Sequence, residues 1–217
     1  APLFPGAFFH IGGDECPKVR WKACPKCQAR MRTEGLADEH ALQSWFVRRA
    51  ERMLAARGKR LIGWDEILEG GLAPNATVMS WRGVEGGIEA ARQGHDVVMS
   101  PTSHCYLDFR QAEDAGAEPL GIDAILPLEK VYAYEPVPSE LTAAQAKHVL
   151  GVQGNLWTEY IATPEHAEYM AWPRACAIAE AGWSPAGARS WKDFRARLAV
   201  HLPRLDALGI GYRKLTG

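Results

Sequence analysis

Two adjacent carboxylates, Asp14 and Glu15, follow an apolar run and two glycines in residues 8–13. Neighbouring side chains of a strand point to opposite faces, so two acids converge on one substrate only where the strand ends and glycines let the backbone leave the pleat. Residues 1–9 carry no charge, which predicts a buried strand with both carboxylates desolvated and paired at its end. Such a pair can support general acid chemistry, one carboxylate staying ionised while the other keeps a proton to donate. We interpret His10 as a hydrogen-bonded histidine that supports the two acids.

Four further apolar runs each end in a cluster of polar or aromatic residues. Continuous apolar runs of this length are typical of parallel strands buried on both faces. Strands that alternate with helices predict an α/β fold with a parallel sheet, and polar clusters at the strand ends favour a barrel over an open sheet. The predicted strands span residues 60–66, 77–82, 96–100 and 149–157, and the predicted helices span residues 38–57, 84–92, 163–182 and 190–209.

Individual residues predict how these helices begin, bend and pack. Thr163 followed by Pro164 indicates an N-cap with proline at the first helical position, and Pro173 predicts a kink. Ser190 and Asp193 have capping-box spacing at the start of the last helix. The predicted inward faces are Leu42, Trp45, Phe46, Met53 and Leu54 in the first helix and Trp191, Phe194, Leu198, Leu202 and Leu205 in the last.

Six segments occur in the order in which one enzyme family carries them, and they cover nearly the whole chain. They read HIGGDE at residues 10–15, GWDEI at 63–67, VMSWRG at 78–83, CYLD at 105–108, QGNLWTE at 153–159, and Pro173-Arg174 through Glu180 and Trp183. Through them the sequence resembles the family 20 glycoside hydrolases, the β-N-acetylhexosaminidases. The resemblance implies a (β/α)8 barrel of the TIM type, of which residues 1–217 form a partial catalytic domain holding strands four to eight.

The resemblance also implies a retaining exo-glycosidase that releases terminal β-linked N-acetylglucosamine or N-acetylgalactosamine. In its substrate-assisted mechanism the acetamido oxygen of the substrate attacks the anomeric carbon and forms an oxazolinium intermediate. Glu15 would protonate the leaving oxygen and later deprotonate water, while Asp14 would hold the acetamido N–H. The remaining expected contacts are Trp64, Trp81 and Trp157 as aromatic walls, Tyr106 as donor to the acetamido carbonyl, and Asp108 and Glu159 as acceptors from sugar hydroxyls. The other tryptophans, Trp21, Trp45, Trp172, Trp183 and Trp191, are predicted to pack in the core.

Composition excludes two classes of partner. The net charge is −1, from 25 basic and 26 acidic residues without a basic block, so nothing supports binding to nucleic acid or to an anionic membrane. No apolar run approaches the roughly 20 residues of a transmembrane helix. The resemblance instead implies N-acetylhexosamine-terminated glycans or chitooligosaccharides as partners, with no cofactor and no metal. It also implies a secreted, periplasmic or lysosome-like compartment for the parent protein.

The resemblance places residue 1 just before the fourth strand of the barrel. The strands near Phe8 and Val152 should then be two open edges, and open parallel edges favour association. We therefore expect self-association or a complementing N-terminal segment, and little or no activity of the chain alone.

Three cysteines cluster near the predicted acids, and Cys24 and Cys27 have CxxC spacing. Three states are open for them: a structural zinc with Cys16 and His10 or His40 as further ligands, a disulfide, or free thiols. Two alternatives to an enzyme follow, namely a non-catalytic carbohydrate-binding remnant of a barrel and a zinc-stabilised interaction module around the cysteine cluster.

Overall fold

The five apolar runs all form strands in the computed structural model, which describes residues 3–113 and 118–215. A parallel sheet has the strand order β1-β2-β3-β4-β7, and β5 pairs with β6. Within the described residues β1 and β7 are therefore the outer strands of the sheet, as predicted. The strands are β1 (Phe8–His10), β2 (Arg60–Trp64), β3 (Thr77–Ser80), β4 (Val97–Met99), β5 (Phe109–Arg110), β6 (Ile122–Ile125) and β7 (Val149–Val152).

Burial differs sharply between the inner strands and β1. Leu61 in β2 and Val78 in β3 are fully buried, as expected of parallel strands covered on both faces. Phe8 in β1 is 41% exposed, and Phe9 and His10 are only half-buried. The prediction that β1 is a buried strand is wrong, because β1 lies at the end of the sheet with β2 as its neighbour among the described strands.

Helices connect the strands, which confirms the predicted alternation. Short 3₁₀ helices span Asp65–Leu68, Gln145–His148 and Ala186–Ala188. The α-helices of the described residues are α1 (Val19–Ala23), α2 (Pro25–Glu34), α3 (Glu39–Ala55), α4 (Glu85–Arg92), α5 (Thr102–Cys105), α6 (Leu128–Tyr132), α7 (Pro164–Ala171), α8 (Arg174–Trp183) and α9 (Trp191–Ala207).

The predicted caps are confirmed, but the predicted kink is not. The Thr163 side chain accepts from the backbone N–H of His166 at the start of α7, and Ser190 accepts from Asp193 at the start of α9. At Pro173 the predicted single helix is interrupted, so that α7 and α8 are separate helices. A proline has no N–H to donate and its ring clashes with the preceding turn, which favours a break at this point.

The buried face of α3 differs from the predicted apolar stripe. Phe46 and Met53 are 64% and 60% exposed. The helix turns polar residues inward because these bind the backbone of neighbouring loops: Ser44 donates to the carbonyl of Gly71, and Glu51 accepts from the N–H of Asn75 at 2.6 Å. The buried residues of α3 are Leu42, Gln43, Ser44, Val47 and Glu51. In α9, by contrast, Phe194, Leu198, Leu202 and Leu205 are buried as predicted, with Trp191 half-buried.

The chain divides into two compact units. Unit 1 comprises Ala1–Met99 and Pro138–Leu150, and unit 2 comprises Ser100–Val137 and Gly151–Gly217. The core of unit 1 includes Ile62, Trp64 and Met79, with Trp81 and Val98 packed against them.

Unit 2 is organised around Arg174, which is fully buried. Its guanidinium donates to the backbone carbonyls of Leu107, Phe109, Leu126 and Met170. Burial lowers the pKa of Arg174 to about 9. One buried cation at the start of α8 therefore ties together β5, the segments that precede β5 and follow β6, and the end of α7.

Trp183 corrects the prediction that five tryptophans pack in the core. It is 90% exposed at the end of α8, on a groove of about 760 Å³ that α8 and α9 line. The other four tryptophans of that group, Trp21, Trp45, Trp172 and Trp191, are half-buried. No helix in the described part of the chain is both long and apolar enough to cross a membrane.

Candidate functional site

The two predicted acids lie in an unusual backbone turn that follows β1. Gly12 and Gly13 have φ angles of 74° and 100°, which only glycine adopts readily. Glu15 has φ 45° and is the one non-glycine residue with positive φ among the described residues. Such a conformation costs on the order of 1–2 kcal/mol, and residues of this kind cluster at functional sites. The glycines therefore turn the chain out of the pleat, as the sequence predicts.

Neighbouring side chains hold this turn in place. Gln43, buried on α3, donates its side-chain amide to the carbonyl of Gly13 at 2.7 Å. Lys18 donates to the carbonyl of Cys16 at 2.8 Å and also to the side-chain oxygen of Gln43. Asp14 and Glu15 themselves are exposed, so the expectation that they are desolvated and paired is wrong for this chain. The turn is anchored through its backbone, which leaves both carboxylates available.

Within the described residues, one of the two ring nitrogens of His10 forms a hydrogen bond. Its Nδ1 accepts from the backbone N–H of Gly12 at 3.0 Å, so the neutral ring carries its proton on Nε2. Burial lowers the pKa of His10 against the opposing effect of Asp14, which favours this neutral form. The Nε2 atom is buried and has no hydrogen-bond partner among the described residues. The ring also packs edge-on against Trp64, with centroids 4.9 Å apart.

Glu66 connects the acid turn to the predicted aromatic walls. It is buried, and its Oε2 accepts from the indole N–H of Trp81 at 2.9 Å. Its Oε1 lies 3.5 Å from the backbone N–H of Glu15. Trp81 in turn contacts Trp64 edge-on at 6.4 Å. One carboxylate thus ties the backbone of the proposed acid to an aromatic ring.

Asp65, beside Glu66, is bonded through both of its oxygens. It accepts from the backbone N–H groups of Trp81 at 2.9 Å and Arg82 at 3.2 Å, and from the guanidinium of Arg82. Burial lowers the pKa of Arg82, but the hydrogen bonds that its guanidinium donates to Asp65 and Glu69, with the charges of Asp65 and Glu66, outweigh burial and raise the pKa overall. These bonds hold the segment after β3 against the segment after β2.

A cleft of about 540 Å³ opens beside the acid turn. Six of its eight lining residues are charged or polar, which suits a hydroxyl-rich ligand. The lining residues are Glu15, Cys16, Pro17, Lys18, Gln43, Glu66, Glu69 and Arg82.

The remaining predicted site residues belong to unit 2. The segment with Tyr106 pairs with Asn155 through a parallel bridge, and the N–H of Leu107 donates to the carbonyl of Asn155 at 2.6 Å. Tyr106 is buried, whereas Trp157 is 42% exposed and Glu159 is exposed. The segment after α5 and the segment after β7 are thereby held side by side.

Asp108 is buried with an incomplete set of hydrogen-bond donors. It is 4% exposed, and its Oδ1 has no partner among the described residues. Burial raises its pKa to about 6, although the backbone N–H of Trp157 and the charge of Arg174 act in the opposite direction. A buried carboxylate oxygen without a donor is a position that a ligand hydroxyl could satisfy.

The structure thus brings the predicted residues together in two groups. Unit 1 holds His10, Asp14, Glu15, Trp64 and Trp81, and unit 2 holds Tyr106, Asp108, Trp157 and Glu159. Sequence reasoning assigned no role to Gln43, Asp65, Glu66, Arg82 or Arg174. One signal was present, because Asp65 and Glu66 repeat the pattern of two adjacent acids at a strand end.

The cysteine cluster holds free thiols. Cys16, Cys24 and Cys27 form no disulfide, and Cys105 and Cys176 are free as well. No group of three or more His, Cys, Asp or Glu residues within residues 3–113 and 118–215 could hold a metal ion.

Comparison with known proteins places this geometry in one family. The description "Glycosyl hydrolase family 20, catalytic domain" matches residues 1–186. The chain is 58% identical to a Beta-hexosaminidase of Porphyromonas gingivalis over 98% of its length, which is 27% of that relative. It is 30% identical to the human Beta-hexosaminidase subunit beta, again over 98% of the chain and 38% of the relative.

A solved structure agrees with the sequence relatives. The Vibrio harveyi GH20 Exo beta-N-Acetylglucosaminidase, crystallised with N-acetylglucosamine, superposes with a TM-score of 0.89 at 42% identity, covering 98% of this chain and 34% of that one. The match supports the predicted α/β fold with a parallel sheet, in a family of TIM barrels. The chain spans between about a quarter and two-fifths of the length of these relatives. With its family match over residues 1–186, the chain belongs to glycosyl hydrolase family 20.

Proposed function

We propose that this chain carries the general acid of a retaining exo-β-N-acetylhexosaminidase, which releases terminal N-acetylglucosamine or N-acetylgalactosamine. The observation that carries the proposal is the turn after β1, where Glu15 in a left-handed conformation lines a polar cleft next to Asp14. The names of the relatives support the same activity. Because the chain spans only part of those relatives, we propose this activity and these substrates for the whole protein.

Glu15 is the proposed proton donor to the leaving glycosidic oxygen. Its side chain is exposed at the cleft while its backbone is anchored by Glu66, so the carboxyl can meet a substrate without moving the chain. After the leaving group departs, the same carboxylate takes a proton from the attacking water. The acid is thereby restored for the next cycle.

Asp14 is proposed to act on the acetamido group of the substrate. The acetamido oxygen attacks the anomeric carbon, which places positive charge on the resulting oxazolinium ring. An ionised Asp14 that accepts from the acetamido N–H would stabilise that charge most strongly as it develops. The nucleophile thus comes from the substrate, and the configuration at the anomeric carbon is retained.

The aromatic and polar residues are proposed to select the sugar. Trp64, Trp81 and Trp157 would contact the acetamido methyl, and the hydroxyl of Tyr106 would donate to the acetamido carbonyl. Asp108 and Glu159 would accept from sugar hydroxyls. The buried Oδ1 of Asp108, which lacks a donor within the described residues, supports its part in this scheme.

Several wider features are part of the same proposal. We propose that the chain holds strands four to eight of the barrel as a partial catalytic domain over residues 1–217, and that it needs a complementing N-terminal segment or self-association. The parent protein is proposed to act on N-acetylhexosamine-terminated glycans or chitooligosaccharides in a secreted, periplasmic or lysosome-like compartment.

The proposed activity is tested in a protein that is as long as the relatives. In this grafted enzyme, the chain replaces the matching segment of the Porphyromonas gingivalis Beta-hexosaminidase, to which it is 58% identical. We expect hydrolysis of an aryl N-acetyl-β-glucosaminide, poor hydrolysis of the matching aryl glucoside, and retention at the anomeric carbon by proton NMR of the first product.

An inhibitor separates the mechanism from the activity. A thiazoline that mimics the oxazolinium intermediate should bind the grafted enzyme far more tightly than N-acetylglucosamine. Equal affinities would contradict substrate assistance, and an inverted product would contradict the retaining mechanism. Binding of the sugar without any turnover would instead favour the carbohydrate-binding alternative.

A further inference from the structure

A pair of thiols lies on the first turn of α2, away from any role in the proposed reaction. Cys24 is the N-cap of this ten-residue helix, Pro25 occupies its first position and Cys27 its third. The backbone N–H of Gln28 donates to the carbonyl of Cys24 at 3.0 Å, which closes the turn. Residues three positions apart at the start of a helix share a face, so the two side chains are neighbours.

The surroundings of the two thiols differ in a way that divides their chemistry. The backbone N–H of Cys27, the Cys27 thiol, the backbone N–H of Lys26 and the charge of Lys26 all stabilise the Cys24 thiolate and lower its pKa. The hydrogen bond to Cys24 raises the pKa of Cys27, with further contributions from burial and from the charges of Cys24 and Glu39. The direction of both pKa shifts, together with the position of Cys24 at the N-cap of α2, makes Cys24 the better nucleophile of the two.

The two thiols are accessible and uncommitted. Neither is fully buried, and both are free. No cluster of three potential ligands includes them in the described part of the chain, so a structural zinc has no ligand set there. A nucleophilic thiol, a second thiol close to it along the chain and access from solvent are what thiol–disulfide exchange requires.

We propose that Cys24 and Cys27 form a thiol–disulfide exchange site that is oxidised by low-molecular-mass disulfides. The Cys24 thiolate attacks one sulfur of the small disulfide, whose S–S bond breaks and releases one thiolate that takes up a proton. Cys27 then loses its proton and attacks the Cys24 sulfur, which expels the second small thiol. Two protein thiols are oxidised by two electrons, and one small disulfide is reduced to two thiols. The proposal is independent of the glycosidase activity.

The first test measures which thiols react. The 217-residue chain is incubated with oxidised glutathione, its remaining thiols are alkylated, and its peptides are mapped by mass spectrometry without reduction. We expect a disulfide that joins Cys24 to Cys27 and is removed by reduced glutathione. In the untreated chain, iodoacetamide should modify Cys24 at least about threefold faster than Cys27, because the thiolate is the reactive form.

Variants trap the intermediate and supply the control. Cys27→Ser should accumulate a mixed disulfide between Cys24 and glutathione, whereas Cys24→Ser should leave Cys27 largely unmodified. Cys176→Ser, which removes a half-buried thiol on α8, should leave the Cys24–Cys27 disulfide unchanged.

Three outcomes of the thiol measurements would overturn the proposal. They are alkylation of both thiols after incubation with oxidised glutathione, a disulfide from either of them to Cys16, and equal iodoacetamide rates for the two. Zinc that copurifies with the chain and protects both thiols from alkylation would also overturn it, in favour of a metal site.

Discussion

Two short segments of unit 1 have nearly the same sequence but opposite environments. Glycine, a second residue, Asp and Glu occur in this order at residues 12–15, which follow β1, and at residues 63–66, which span the end of β2, and these strands are parallel neighbours. Asp14 and Glu15 are exposed at a cleft, whereas Asp65 and Glu66 are buried and bonded.

Backbone geometry accounts for the difference. After β1, Gly12, Gly13 and Glu15 all have positive φ, so the chain leaves the sheet and presents its acids to solvent. After β2, the chain enters the 3₁₀ helix Asp65–Leu68 at once. This helix turns both acids toward the segment after β3, where the backbone and side chains of Trp81 and Arg82 supply donors. Adjacent acids at a strand end therefore indicate a site, but the turn that follows decides which pair is exposed and which pair is buried and bonded.

The largest expected effect is a loss of activity that distinguishes the exposed pair, Asp14 and Glu15, from the buried pair, Asp65 and Glu66. In the grafted enzyme, Glu15→Gln should lower kcat on a chitooligosaccharide by about 10²–10⁴-fold, because no proton donor remains. An activated aryl substrate, whose leaving group needs less protonation, should lose much less. Glu66→Gln is the matched control, since it keeps an acceptor for the Trp81 indole. Steady-state kinetics on both substrates give the answer, and equal losses on the two would contradict the role of Glu15.

The next effect concerns the turn that exposes the first pair. Gly13→Ala should destabilise the chain by about 3 kcal/mol, because alanine disfavours the positive φ and its Cβ would also crowd a neighbouring side chain. A Cβ at Gly13 would lie 2.7 Å from Cγ2 of Ile67. Gly35→Ala, at φ 65° with nothing within 4 Å of the added Cβ, should cost only about 1 kcal/mol. Urea unfolding of both variants measures the difference, and equal losses would show that the contact with Ile67 is relieved.

A third comparison tests the supporting role of the buried pair. Asp65→Ala should lower the free energy of unfolding by about 2–3 kcal/mol, because two backbone N–H groups and Arg82 lose their acceptor. Asp14→Ala, which removes an exposed carboxylate, should stay within about 0.5 kcal/mol of the unmodified chain. The two variants are compared by urea unfolding at one pH. Similar losses would mean that Asp14 also supports the fold.

The smallest effect concerns Asp108, a buried acid with one oxygen that has no hydrogen-bond partner among the described residues. Burial raises the pKa of Asp108 to about 6, so the folded chain binds its proton more tightly than the unfolded chain does. Stability should therefore fall as the pH rises from about 4 to about 6, by on the order of 2 kcal/mol. Asp108→Asn should remove that dependence and raise stability near neutral pH, while it weakens substrate binding by the grafted enzyme. A pH series of unfolding curves checks this, and an unchanged slope in the variant would rule out Asp108 as its source.

Much of the local structure was predictable, because it depends on neighbouring residues. The five apolar runs became strands, Thr163 and Ser190 cap their helices, and the glycines before Asp14 reverse the backbone. Each of these features needs only a few consecutive residues: continuous hydrophobicity, a side-chain oxygen three positions before an unpaired N–H, or a residue that tolerates positive φ.

Burial and partnership were decided by the tertiary structure. Phe46 and Met53 match an apolar stripe but lie in solvent, because α3 turns Gln43, Ser44 and Glu51 toward loop backbones far away in the sequence.

The same holds for the two acid pairs, whose letters alone do not distinguish them. Glu66 bonds to an indole 15 residues further along the chain, whereas the backbone of Glu15 points its carboxylate into a cleft. The sequence by itself determined which residue types stand at the strand ends and therefore what chemistry is available. Only the tertiary structure decided which of them remain accessible, because desolvation and hydrogen bonding depend on groups that the fold brings together from distant positions.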